Sequence, residues 1–489
     1  MKHFFVFSLI LLVSMSITAQ TQLGSDINGL AIYNALGWSV ATSGDGQTIV
    51  VGAPNSSING DSSGQIKVFQ FDGTDWVQLG STFDAYAESD NAGRSVDITD
   101  DGLTIVIGIQ YSDTFEVTEG SVQVFGFDGN DWIQKGSTLY GSDGFHEFGT
   151  NVTISNDGNR ITVGAPYFDS ATNGSDTGAL KIFDYDGSQW NLSFEVEGDT
   201  SNDVFGMSVD MSGDGNHVIC GAWINEDGTT RVGYAKVYAF DNSTWTQVGA
   251  TLTGDVPSIF FGASSAISDD GTRIAIGSWG NDDNGNNSGE VEVFELNANS
   301  WQPLGLALQG DGGFQRFGWS IDLSGDGSIL AVGAPQANYM KLYRFANDNW
   351  NQIGNPLTGV NGNDEFGWVV DLTTDGTKVV VGDPSNDNNA SYAGFAQVYD
   401  ITDVLSVSEF EDNTFTVFPN PTNSKLTIQS NVDIHDISIV DINGRILKTF
   451  DNLEASQNVN LDVENLSNGI YFLKIQADSK GQVIRFVKN

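Results

Sequence analysis

The sequence predicts an all-β protein, a seven-bladed β-propeller followed by a small immunoglobulin-like antiparallel β-sandwich, and three observations predict it. One line, FGWSIDLSGDGSILAVGAP at residues 317–335, returns seven times in altered form. Between its copies the chain runs in short apolar or alternating stretches cut by glycine-rich turns, without a helix-period segment. Near residue 400 the repeat stops and the composition changes.

The repeat is the first fact to settle. The glycine of its FG pair recurs at Gly37, Gly93, Gly149, Gly206, Gly262, Gly318 and Gly367, in steps of 56, 56, 57, 56, 56 and 49 residues. An Asp-Gly pair follows in every unit (Asp45-Gly46 in the first), then a second glycine (Gly52, Gly108, Gly164, Gly221, Gly277, Gly333, Gly382). A period of this length marks stacked or ringed supersecondary units.

Ahead of the array, residues 1–19 give a basic start, an apolar run and small residues ending at Ala19. They read as a secretory signal peptide, too short and wrongly flanked for a spanning helix. No later run is long enough for a transmembrane segment, and no cysteine follows the apolar run to carry a lipoprotein anchor. Cys220, the one cysteine, sits in the strand-like HVICGA as a small buried hydrophobe.

Charge is unevenly spread. Residues 20–409 carry 12 Lys and Arg against 53 Asp and Glu, while residues 410–489 carry 7 against 10. Nucleic acid is excluded as a partner of the larger part, and the acidity suits solubility outside the cell, divalent cations or basic partners.

Four strands, a to d in chain order, fit each unit; in the first they are GWSVATS, TIVVGAP, GQIKVFQF and DWVQLG. The turns SGDG and FDG(T/N)DW place Asp and Gly where a tight hairpin needs a local acceptor and a positive φ. Strand a has a bulky face (Trp38, Val40, Thr42) and a small one (Ser39, Ala41, Ser43), as expected of sheets packed on both sides. The Gly52-type positions predict close backbone approach between sheets. The periodic tryptophan of strand d (Trp76, Trp132, Trp190, Trp245, Trp301, Trp350) reads as packing. Strand d ends in a glycine 13 residues before the next FG glycine, Ser193 being the exception, and Gly24 stands 13 residues before Gly37. Thr21 to Gly24 is therefore a lone strand d, and the seventh unit lacks its own. Pairing of the two ends near residues 396–399 closes the ring and removes its edges.

With FG heading strand a and GAP ending strand b (Gly52-Ala53-Pro54, Gly164-Ala165-Pro166, Gly333-Ala334-Pro335), residues 20–400 resemble the FG-GAP repeats of integrin α-chain propellers and their bacterial relatives. The resemblance implies a propeller used for extracellular binding and adhesion. It departs from the family at the a–b turn, where SGDG replaces the calcium loop D-x-D-x-D-G-x-x-D, so calcium is not expected there and Asp45 and its counterparts hold the hairpin. Residues 281–290, NDDNGNNSGE, are the tentative calcium candidate, with Asp282, Asp283, Asn284, Asn286 and Glu290 as oxygen ligands; Asn, Asp and Gly are also ordinary loop residues. Asp97, Asp210, Asp322 and Asp371 share one position of strand a and are expected to line the channel and tie adjacent blades. The histidines recur nowhere and sit in no catalytic motif. No catalytic residue is assigned and no enzyme is expected. The alternative, a polysaccharide-acting hydrolase or lyase, would show itself as a non-periodic cluster of acid, base and aromatic residues in one pocket.

After a linker at 401–413, residues 414–489 read as four or more strands with an Asn443-Gly444 turn. Pro419-Asn420-Pro421, Gly444, Leu466, Gly469-Ile470-Tyr471 and Lys488 resemble the C-terminal sorting domain of the type IX secretion system. That resemblance implies translocation across the outer membrane, with the type IX machinery and a sortase-like protease as partners, and release or attachment to surface lipopolysaccharide. The expected whole is a secreted or cell-surface monomer whose extracellular glycan or protein ligand the sequence does not name.

Overall fold

A computed structural model describes residues 20–489, apart from 86, 114–117, 142–145, 224–231, 242, 257–258, 362–363, 406–414, 443, 451–455 and 478–479. The signal-peptide residues 1–19, most of the expected linker and the polar loop 224–231 thus lie outside the described residues.

Each repeat forms one antiparallel sheet with its strands in chain order. In the first, a (Ser39–Thr42) pairs with b (Thr48–Ala53), b with c (Gln65–Phe71) and c with d (Trp76–Gln78). Seven such sheets follow one another among the described residues. Strand b is buried on both faces, Ile49, Val50 and Val51 alike, because each sheet is covered by its two neighbours. Strand a of every unit touches strand a of the next, and the seventh, Val369–Leu372, touches the first. The sheets therefore stand around a common axis as a β-propeller, with the a strands innermost.

The ends meet where the sequence places them. Thr21–Gln22 pairs with Asp400 and Tyr399, and Ile27–Asn28 pairs with Ala396 and Phe395, so the first residues complete the last sheet. Ile401 and Val404, assigned to the linker on sequence, are buried against the last two sheets; the short helix Thr402–Leu405 carries this apolar face back onto them.

Two periodic residues explain the spacing. A Cβ on the second glycine of a unit would overlap the carbonyl oxygen of the next unit's FG glycine: Gly52 against Gly93, Gly164 against Gly206, and finally Gly382 against Gly37. The backbones of adjacent sheets touch there, and only glycine fits. The strand d tryptophan donates its indole N–H to the preceding unit's strand d, as from Trp132 to Leu79 O at 3.0 Å and from Trp301 to Val248 O at 3.0 Å. Trp245 alone of the six has no acceptor among the described residues. Its neighbouring strand, Trp190–Glu197, is the one with Ser193 in place of glycine, and its register shifts between Ile182 and Phe183.

The C-terminal residues form two antiparallel sheets, one of three strands and one of four, around Leu426, Ile428, Ile437, Leu473 and Phe486. Among the described residues no helix is long and apolar enough to cross a membrane.

Candidate functional site at the mouth of the central channel

The a–b hairpins close one end of the channel. Asp45 Oδ1 accepts from Ser43 Oγ (2.8 Å) and Gln47 N (2.9 Å), and Asp101, Asp157 and the other counterparts repeat the pattern. These aspartates hold the turns, as the sequence implied. The tips bond to each other, Gly44 N to Asp100 O (3.0 Å) and Asp269 N to Gly325 O (2.9 Å), and across the axis, where Thr374 Oγ1 donates to Asp100 Oδ1 at 2.7 Å. What remains is a pocket of about 430 Å³ lined by the a strands.

Midway up stand Asp97, Asp210, Asp322 and Asp371. Asp97 takes Ile98 N and Ile154 N, each at 2.7 Å; Asp322 takes Leu323 N at 2.8 Å and Leu372 N at 2.6 Å. Asp210 and Asp371 likewise accept from the following blade, through Ile267 N (2.8 Å) and Thr42 N (2.7 Å). Each carboxylate thus ties one inner strand to the next. Burial lifts Asp97 to about 6 and Asp322 to about 7, while the accepted N–H bonds pull the other way.

The open end breaks the repeat. Trp38, Trp319 and Trp368 follow the FG glycine in three units, where the others have Arg94, Thr150, Met207 and Ala263. Trp223 and Trp279 replace the proline of GAP in two more. The rings form an arc: Trp38 to Trp368 4.8 Å, Trp368 to Trp319 4.9 Å, Trp319 to Trp279 5.6 Å, Trp279 to Trp223 6.3 Å, with Phe260 stacked on Trp279 at 4.2 Å. Arg94 lies 5.1 Å from the centre of Trp38, and Arg316 lies 5.0 Å from Trp279 and 5.4 Å from Trp319. Neither guanidinium has an ion-pair partner among the described residues, unlike Arg160, Lys236, Arg273 and Lys341. The buried indole N–H groups of Trp38 and Trp223 have no acceptor there either. Burial lowers the Arg94 pKa, and Tyr111, Glu147 and Tyr167 nearby partly restore it. Glu147 is bonded by Gln110 Nε2 at 2.5 Å.

Sequence reasoning missed this arc because it followed what repeats. The signal lay in the exceptions: bulky or charged residues at periodic positions that most units fill otherwise.

The proposed calcium ligands sit on the same rim but serve their own loop. Asp282 Oδ1 accepts from Asn287 N at 2.7 Å, a turn bond repeated from Asp387 to Tyr392 at 2.6 Å. Asn284 Nδ2 donates to Gly310 O at 2.6 Å, and Asn286 Oδ1 accepts from Asn287 Nδ2 at 2.7 Å. Asp283 and Glu290 share Gln309 Nε2, each at 3.4 Å, and Glu290 is pushed up to about 8 by burial, then by Glu292 and Asp283. Among the described residues no group of three or more His, Cys, Asp and Glu is placed to hold a metal ion.

In the C-terminal sheets the motif residues converge at one end. Asn420 donates to Arg485 O (2.9 Å) and accepts from Val487 N (2.9 Å), clasping the last strand, Lys480–Lys488. That strand pairs with Gly469–Ala477, with Gly469 opposite Lys488, Ile470 opposite Val487 and Tyr471 opposite Phe486. Pro419 and Pro421, flanking Asn420, both follow cis peptide bonds. Gly444 stands apart in the turn after Asp441, at φ +75°.

Fold and site together define a β-propeller with a pocket at its channel mouth, followed by a C-terminal pair of sheets with a core of its own. Residues 245–294 match the FG-GAP repeat family, and residues 416–489 match the secretion system C-terminal sorting domain. The latter marks proteins exported by the type IX system to the cell surface or the extracellular space. No curated protein matches the chain. Among solved structures, Kuenenia stuttgartiensis hydrazine synthase is similar at 12% identity over 74% of this chain and 94% of that one, with a TM-score of 0.48. The β-propeller domain of Myceliophteria thermophila Cps50 (Swd1) is similar at 8% identity over 78% and 98%, with a TM-score of 0.48. The periplasmic gluconolactonase of Pseudomonas aeruginosa is similar at 15% identity over 66% and 84%, with a TM-score of 0.46.

Proposed function

We propose that the chain is a seven-bladed propeller that binds an extracellular glycan or protein ligand at its channel mouth without turning it over. On this reading an immunoglobulin-like sandwich carries it through the type IX machinery and is then removed by a sortase-like protease. One observation carries the binding role: in a chain whose repeats are otherwise alike, aromatic and cationic side chains depart from the repeat together, at the open end of one pocket. Concave sites lined by aromatics with a few convergent polar groups are where ligands bind. The acids beside the arc, Asp97, Asp322 and Glu147, are engaged by protein donors, which favours binding over acid–base work.

The test is a glycan and surface-protein screen of the secreted protein, with calcium and with chelator, alongside Trp279→Ala and Trp368→Ala. Ligands retained by the parent and lost by both variants, at unchanged Tm, support the assignment. Turnover of a retained polysaccharide, abolished by one carboxylate substitution, would make the protein an enzyme instead.

A further inference from the structure

We infer that the ligand at the channel mouth is a short oligosaccharide bearing an acid group, carboxylate or sulfate; this rests on the mouth being the binding site. Three features of the pocket carry the inference.

The wall offers donors. Two guanidinium groups lie on the tryptophan arc without an ion-pair partner among the described residues, Arg94 in the pocket wall itself and Arg316 against Trp279 and Trp319, and the nearby carboxylates already accept N–H bonds. A ligand must bring the acceptors, and a fork of guanidinium N–H groups is best matched by a planar or tetrahedral oxyanion. Sugar hydroxyls turn to accept.

The wall also offers flat faces. Tryptophan rings 4.8 to 6.3 Å apart around an arc suit rigid rings with apolar C–H faces, and each buries a large area for little lost freedom.

Finally, the site continues outward. A second cavity of about 270 Å³ shares Trp38 and is lined by Tyr33, Pro384 and Tyr392. Tyr33 and Tyr392 stack at 5.6 Å and are 61% and 49% exposed. A ligand of several rings spans both cavities, with its acid group at Arg94, which lines the pocket beside Trp38. The net charge of −43 opposes a densely charged polyanion, but at physiological salt distant charge is screened beyond about 8 Å, and the pocket's own aspartates are each engaged by backbone N–H groups, so one acid group at Arg94 is still attracted.

Calorimetry on the secreted protein tests this with digalacturonate, tetragalacturonate, a sulfated disaccharide, cellobiose, cellotetraose and tetraglutamate. Tetragalacturonate should bind more tightly than digalacturonate, and neutral sugars at least tenfold more weakly than acidic ones of equal length. Arg94→Gln should weaken every acidic sugar about tenfold. Tyr392→Ala should weaken the tetramer and leave the dimer alone. The carboxylated and sulfated disaccharides show which acid group is read, and binding of either supports the inference. Equal binding of neutral and acidic sugars, tetraglutamate binding as well as tetragalacturonate, or no acidic sugar bound overturns it. If Trp279→Ala also leaves every ligand of the wider screen unaffected, the mouth itself is not the site.

Discussion

Asp322 stands half-buried in the channel wall and accepts two backbone N–H groups, one from its own strand and one from the next blade. Asn in its place presents one oxygen and one NH2, so one backbone donor faces another; an unmet buried group costs about 1–3 kcal/mol. Asp322→Asn should lower stability by that amount in chemical denaturation. The same residue gives a pH dependence. Its folded pKa, about 7, and that of Asp97, about 6, lie above the 3.8 of a free aspartate, so the folded state holds the proton more tightly. That contribution is complete below about pH 4 and lost as pH rises through 6 to 7. Tm should therefore be higher at pH 5 than at pH 8, and the difference should shrink in Asp322→Asn; an equal difference in both proteins refutes the assignment. Calcium belongs to this scale too. Because Asp282 and Asn286 accept within their loop, Asp283 and Glu290 accept from Gln309, and Glu290 is pushed up to about 8, Tm at pH 7 should be equal in calcium and in chelator. A rise in calcium would restore the loop as a cation site.

Between neighbouring blades, two contacts repeat, and their exceptions make predictions. Gly164→Ala puts a methyl on the Gly206 carbonyl oxygen, where the two backbones already touch, and overpacking of this kind costs about 1–3 kcal/mol. Trp301 and Trp245 hold equivalent places, but only Trp301 donates its indole N–H. Trp301→Phe should cost about 1 kcal/mol more than Trp245→Phe, the worth of one hydrogen bond; equal losses mean the tryptophans act as plugs alone. This is also the scale most open to reading from sequence. Strands, turns, the glycine contacts and the missing strand d follow from period and turn chemistry, since each sheet must solve the same packing problem. Ser193 is legible as the one exception to the strand d glycine. The channel mouth did not, because Trp38, Trp279 and Arg316 come from different blades and meet only once the ring closes. Periodicity tells which residues build a blade. It is silent on which departures from it share a pocket.

For the whole molecule, the question is why a closed ring carries eighty further residues. The first strands, Thr21–Gln22 and Ile27–Asn28, complete the last sheet, so ring closure uses nothing beyond the short helix ending at Leu405. The C-terminal sheets have a core of their own around Leu426, Leu473 and Phe486. The two cores touch through one small patch, Leu306 of the propeller against Val440 and Phe472 of the tail, and each should fold separately, which leaves the tail for routing. Its motif residues fit that role: Asn420 clasps the last strand, which in turn pairs with Gly469, Ile470 and Tyr471, so the recognised features form one end of one module. Deleting residues 415–489 should leave the propeller's Tm nearly unchanged while trapping it in the periplasm. Asn420→Ala, which breaks both clasp bonds, should lower export of a propeller that is itself unaltered. Cell fractionation with a propeller-directed antibody reads both. If the truncated protein reaches the medium in the same amount as the full chain, or the surface form keeps its C-terminus, the tail is not the export signal. If the truncated propeller unfolds, the two cores are not independent, and the tail is a structural part of the ring.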